Sequence, residues 1–174
     1  MKILYPPYQA EKEDIIIFLA GPIQGARDWQ SDAYEKILEL AIENNLEDRI
    51  IVANPRRIYM DDEFVYEKQV DWETEYLNKA SKKGVILFWL EKEQIHYCNR
   101  PFAQTTRFEL AEWKVKDQLA SAKIVVGIDE EFTNKRYISR RFKQDCSDIK
   151  INNSLANTCK DAIRVIIENY QING

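Results

Sequence analysis

One histidine stands in the 174 residues of this chain, and that scarcity removes whole classes of chemistry. A Ser-His-Asp or Cys-His mechanism would have to run through His96, whose polar neighbours read as a surface loop. Cysteine is scarce as well. Cys98, Cys146 and Cys159 are far apart, odd in number and without CxxC spacing, which argues against a disulfide framework and against a zinc site. Free thiols of this kind fit a reducing, cytoplasm-like compartment. With no ligand cluster in the sequence, neither a metal nor a cofactor is expected. Long apolar runs are missing too, so no membrane span is expected. The stretch from Met1 to Tyr8 breaks at Pro6 and Pro7 before a secretory apolar core forms.

Positive charge is in deficit: 25 Lys and Arg stand against 29 Asp and Glu, a net charge of −4. Basic pairs such as Lys135-Arg136 and Arg140-Arg141 are flanked by acidic segments and read as solvated surface. A polymeric nucleic acid is therefore not an expected partner, because neutralising phosphates needs clustered cations. The length suits one domain over residues 1–174, and no repeat or low-complexity linker divides it.

What is present is an alternation of apolar runs and helical stripes. Ile15–Ala20 reads as a first strand, ended by Gly21-Pro22. Trp29–Glu43 reads as a helix, with Ala33, Ile37, Leu40 and Ala41 inward. Ile50–Ala53 is a second strand, stopped by Asn54-Pro55. A helix follows from about Val70 to Ser81, then a third strand, Gly84–Leu90. The next helix runs from Thr106 to about Leu119, with Phe108, Ala111, Val115 and Leu119 as its stripe. Lys123–Ile128 is a fourth strand and Arg136–Phe142 a short helix. Ile149–Ile151 is a weak fifth strand. Asn157–Tyr170 closes the chain, with Ala162, Val165, Ile166 and Tyr170 inward.

Strands that are apolar throughout are buried on both faces. Their alternation with helices implies right-handed parallel βαβ units. The expectation is an α/β, three-layer, doubly wound parallel sheet of about five strands in flavodoxin-like order. Ligands of such sheets bind outside the carboxyl ends of the strands. That edge carries Gly21 to Gln24, Asn54 to Arg57, the long loop from Glu91 to Gln104, and Gly127 to Asp129.

Two acids near that edge have competing readings. Thr106-Arg107-Phe108-Glu109 fits a capping box, with Thr106 as N-cap and Glu109 bonding back to it. In the other reading Glu109, kept ionised by the helix N-terminus, faces the ligand as a glycosyl-transferring carboxylate. Glu73 is either an exposed first-turn acid or an acid turned into a pocket beside Glu109. Aromatic residues cluster in the same segments: Trp72, Tyr66, Tyr59, Phe102 and Tyr97 can stack on a base or pack under loops. Gly21-Pro22 lacks the spacing of a dinucleotide fingerprint or a P-loop and marks a tight turn whose backbone can approach a ligand.

Taken in series, Phe18-Leu19-Ala20-Gly21-Pro22-Ile23, Asn54-Pro55-Arg56, Trp72-Glu73 with Leu77 and Ala80, Val85–Trp89, and Thr105-Thr106-Arg107-Phe108-Glu109-Leu110 resemble the nucleoside 2-deoxyribosyltransferase-like family, from about Ile15 to Gly127. The resemblance implies a flavodoxin-like fold, a small nucleoside substrate and no cofactor. It also implies a homo-oligomer, for which Tyr137 and Tyr170 are candidate contacts. By this resemblance Glu109 is the nucleophile that forms a covalent glycosyl-enzyme, and Glu73 orients it and the sugar. Phe18, Gly21, Pro22, Asp71, Trp72, Gln104, Thr105 and Arg107 are the expected substrate contacts. Phe18 stands where the family's transferases carry a tyrosine, and Ala103 where they carry a base-handling aspartate. Gln104, Thr105 and Asp71 are the polar groups nearest to take over that second task.

Three functions follow from this reading. The first is cleavage or transfer of an N-glycosidic bond through Glu109. The second is hydrolysis of a deoxynucleoside 5′-monophosphate, with Arg56 and Arg107 as candidate phosphate contacts. The third is a nucleotide-binding module without turnover, in which Arg27, Arg56, Arg57, Arg100 and Arg107 serve phosphate binding.

Overall fold

The computed structural model describes residues 1–11, 14–57 and 64–170. Its elements are β1 (Lys2–Leu4), β2 (Ile15–Ala20), α1 (Trp29–Glu43), β3 (Ile50–Ala53), α2 (Tyr66–Lys82), β4 (Gly84–Leu90), α3 (Gln104–Ala120), β5 (Ile124–Ile128), α4 (Lys135–Asp145), β6 (Ile151–Asn152) and α5 (Leu155–Tyr170). Tyr59, one of the aromatics singled out above, lies outside the described residues.

The strands form one sheet in the order β1-β3-β2-β4-β5-β6, and every pairing is parallel. Without β1 the order is that of the flavodoxin-like fold. The middle strands are buried along their whole length, as their unbroken apolar sequence requires. Alternate residues feed two cores. Ile16, Phe18 and Ala20 pack with Trp72, Tyr76, Leu110, Trp113 and Phe142, under α2, α3 and α4. Ile15, Ile17 and Leu19 pack with Trp29, Ala33, Ile37, Cys159 and Ile166, under α1 and α5. Helices thus cover both faces, giving three layers.

Four expectations need correcting. The short edge strand β1 pairs with β3 in the register Ile3↔Val52 and was not expected. Next, α2 begins at Tyr66 rather than near Val70. The stripe on α3 is also reversed. Its buried residues are Thr106, Leu110 and Trp113, whereas Phe108, Val115 and Leu119 are 74%, 48% and 83% exposed. Leu110 and Trp113 bury more apolar surface against the sheet, and a helix can present only one face to it. Finally, Tyr170 is half-buried, as the inward stripe of the last helix predicts, and so is corrected only as a candidate contact between copies. Its hydroxyl accepts from the Gly84 N–H at 2.7 Å and donates to the Lys82 carbonyl at 3.3 Å. Tyr137 remains exposed.

Candidate active site

The carboxyl ends of β2, β3 and β4 meet the amino-terminal halves of α2 and α3 around a cavity of about 520 Å³. The loop after β2 can enter this space because residue 21 has no side chain. A Cβ on Gly21 would lie 2.3 Å from the Trp89 carbonyl oxygen and 2.5 Å from Trp29 Cζ2. Pro22 then fixes the turn, and its carbonyl accepts the Trp29 indole N–H at 2.8 Å.

Glu73 and Glu109 both line this cavity. Glu73 sits well inside α2, not in its first turn, because the helix starts at Tyr66. Its Oε1 accepts from Gln69 Nε2 at 2.7 Å, and the same amide donates to the Pro55 carbonyl at 2.9 Å. Gln69 therefore ties Glu73 to the end of β3. The capping box at the start of α3 does not form. The helix starts at Gln104, its N-cap is Ala103, and Thr106 is buried within it. Glu109 therefore lies beyond the first turn. Among the described residues no hydrogen bond or salt bridge reaches its carboxylate, which faces the cavity instead.

The expectation that Glu109 stays ionised at neutral pH is overturned. Burial, then the charge of Glu73, then that of Glu112, push its carboxyl up to about 8. Burial also raises Glu73, partly offset by the hydrogen bond from Gln69. Removal from water outweighs the helix N-terminus, whose influence fades within the first turn. The cavity thus holds two acids that resist carrying two charges at once.

The cavity gathers most of the expected contacts: Phe18, Gly21, Pro22, Gln104 and Thr105 line it with the two acids. Asp71, Trp72 and Arg107 do not. Asp71 is exposed. Trp72 is 3% exposed in the core, stacked on Tyr76 with centroids 4.4 Å apart, and its indole N–H donates to the Tyr8 carbonyl at 2.8 Å. Arg107 turns toward the segment after β5, donating to the Thr133 carbonyl at 3.2 Å above the Phe132 ring. Of the aromatics, Tyr66, Tyr97 and Phe102 line the cavity.

The arginines divide in the same way. Arg56 is held by Asp28 at 2.9 Å and by Gln30 at 2.8 Å, and Arg27 by Asp32 and Glu91. Arg57 and Arg100 line the cavity, Arg100 donating to Gln24 Oε1. Sequence reasoning missed Glu93, Phe64 and Gln69 as cavity residues. The spacing of Gln69 and Glu73, one helical turn apart, was the available signal for Gln69. Loop residues such as Glu93 carry no periodicity that reveals where they point. Among the described residues, no group of three or more His, Cys, Asp or Glu is placed to hold a metal ion.

A flavodoxin-like parallel sheet with a cavity lined by acids at its strand ends defines an α/β protein of the class whose ligands bind at that edge. A family model described as nucleoside 2-deoxyribosyltransferase like matches residues 14–132, and the chain belongs to that family. No curated protein matches it. The matched span ends beyond β5 and includes every residue of the cavity.

Proposed function

We propose that this protein cleaves or transfers the N-glycosidic bond of a nucleoside, with Glu109 as nucleophile. The observation that carries the reading is the Glu109 carboxyl itself. It is half-buried, faces the cavity and has no partner among the described residues, a costly arrangement to keep without a use for it. In the proposed step Glu109 releases its proton to solvent as substrate binds, and a carboxylate oxygen bonds to C1′ of the sugar. The C1′–N bond breaks, and its electron pair leaves with the base, which takes up a proton. Water or a second base then opens the glycosyl ester.

The raised carboxyl fits a site built around developing positive charge. An oxocarbenium-like sugar next to Glu109 and Glu73 favours their ionised forms, so the two acids stabilise the transition state more than the empty site. Glu73, fixed by Gln69, orients both the sugar and Glu109. Phe18 and Pro22 pack against the sugar, and Tyr66, Tyr97 and Phe102 offer faces for the base.

The test is mass spectrometry of the intact protein after mixing with deoxyadenosine, deoxyinosine or thymidine, with free base assayed in the same samples. A deoxyribosyl adduct on the wild type, absent from Glu109→Ala, is the expected result. Saturable binding without adduct or free base would instead support the binding-module reading. Arg57 and Arg100 on the cavity wall favour including each 5′-monophosphate beside its nucleoside. We further propose that residues 1–174 act as one cytoplasmic domain. No helix among the described residues is long and apolar enough to cross a membrane. The exposed stripe Phe108, Val115 and Leu119 on α3 is the surface we assign to contact between copies of the chain.

A further inference from the structure

The cavity contains a third carboxylate, and its loop is fastened on both sides. Two residues before it, Glu91 is 2% exposed, accepts the Trp89 indole N–H at 2.7 Å and pairs with Arg27 at 3.2 Å. Immediately after it, the Gln94 and Ile95 N–H groups both donate to the Gly25 carbonyl, at 2.7 and 3.0 Å. Gly25 must be glycine for this contact. Its φ is +82°, and a Cβ there would lie 2.8 Å from the Ile95 carbonyl. Between these two fastenings Glu93 lines the cavity. Its Oε1 lies 2.8 Å from Nδ1 of His96, the chain's one histidine, which is well exposed.

We propose that Glu93 is the residue that handles the departing base, supplied with protons from solvent through His96. The assignment rests on the reading that Glu109 attacks C1′. Departure of a neutral purine or pyrimidine leaves an electron pair on the ring nitrogen, and a proton must arrive as that bond breaks. Glu73 and Glu109 are committed to the sugar. Position 103 carries alanine, which has no proton to give. Asp71 is exposed and outside the cavity, and Gln104 and Thr105 do not act as acids near neutral pH. Glu93 is the remaining carboxyl among the described cavity residues, and it stands on the loop after β4 rather than on the helices that carry the other two. As C1′–N breaks, the electron pair goes to the ring nitrogen and the proton of Glu93 follows it. The imidazolium form of His96 then returns a proton to Glu93 through its Nδ1–H, becomes neutral imidazole, and is itself recharged from water.

The experiment compares two leaving groups. Deoxyinosine needs a proton on its departing base, whereas 7-methyl-2′-deoxyguanosine already carries a positive charge and leaves as a neutral base without one. Single-turnover base release is measured for wild type, Glu93→Gln, His96→Gln and Glu109→Gln. Glu93→Gln should slow release from deoxyinosine by about 10²-fold or more and change release from the methylated substrate by less than about threefold. His96→Gln, a substitution at an exposed position, should give a smaller loss with the same selectivity. Glu109→Gln should stop both substrates. Equal losses on the two substrates in Glu93→Gln, or no loss on either, would overturn the assignment to Glu93 while leaving Glu109 in place. Release from both substrates by Glu109→Gln at the wild-type rate would remove the underlying reading as well.

Discussion

Glu91 and Glu109 are both carboxylates withdrawn from water near the ends of strands, and the protein treats them oppositely. Glu91 is enclosed: the Trp89 indole donates to one oxygen and the Arg27 guanidinium pairs with the other. Glu109 faces a cavity with no partner among the described residues, and its carboxyl is pushed up to about 8. A buried charge is costly unless it is paired and hydrogen-bonded. At Glu91 that cost is offset on the spot, and the result is a fastening between two loops. At Glu109 no partner offsets it, so the group keeps its proton up to about pH 8, as in sites where a ligand or a transition state supplies the missing partner. One fold therefore contains a structural acid and a reserved acid, told apart by what touches each.

The largest test of this contrast is a double dissociation. Glu109→Gln should lower turnover by roughly 10⁴-fold or more while the folded state persists. Glu91→Ala should chiefly destabilise the fold, with a far smaller loss of turnover that arises only from loosening the loop that carries Glu93. The expected cost is about 1–3 kcal/mol, below that of a fully buried pair because Arg27 is 42% exposed and water screens it. Thermal melting and single-turnover rates on the same samples separate the two. A Glu91→Ala protein that melts normally but is inactive would erase the distinction.

A finer test uses pH. The ordinary value for Glu109 is 4.5, and the fold raises it to about 8. Between those values the folded state binds more protons than the unfolded chain, so this group makes stability fall as pH rises through that window and level off above it. Glu73 is raised as well, and Asp117, raised to about 6 by burial and by Asp148, acts with the same sign lower down. From pH 6 to 8 the decline should therefore belong mainly to Glu109. Glu109→Gln should flatten that part of the profile and raise stability at pH 8 by on the order of 1–2 kcal/mol, discounted for water in the open cavity. In a domain of this size that is about 2–8 °C in melting temperature. An unchanged slope in the variant would mean that Glu109 is not held protonated by its surroundings.

Much of this architecture was legible in the chain. The strands Ile15–Ala20, Ile50–Ala53 and Gly84–Leu90 fall where unbroken apolar runs place them, because a central parallel strand has no solvent face to mark with polar residues. Strand-end topology then led to Gly21, Pro22 and Glu109 without any side-chain information. The edge strand β1 was not legible, since three residues cut short by Pro6-Pro7 carry no period. Nor was the state of Glu109. Spacing alone fits a capping box, but whether an acid caps a helix or faces a cavity depends on where the helix starts. Here Ala103, at φ 55°, sets the start earlier than the sequence pattern suggests. Glu93 was hidden for a related reason: its direction is set by contacts with Gly25, distant in sequence.

The smallest expected effect concerns α3, which repeats the contrast between satisfied and reserved groups in apolar form. Leu110 and Trp113 are spent on the core, while Phe108, Val115 and Leu119 lie on the opposite face in water. Sequence periodicity could not choose between the faces because both carry apolar residues at helical spacing. On an isolated chain, replacing Leu119 by serine should change stability by no more than about 0.5 kcal/mol, since the side chain is 83% exposed. If the stripe joins two copies, Leu119→Ser and Phe108→Ser should shift the protein toward monomer in sedimentation velocity, with concentration-dependent melting in the wild type. Phe108 directly precedes Glu109, so the dimer reading also predicts that Phe108→Ser disturbs turnover more than Leu119→Ser at equal loss of association. Identical monomeric sedimentation for wild type and both variants would leave the stripe as plain exposed surface, and the reserved character would then belong to the carboxylates alone.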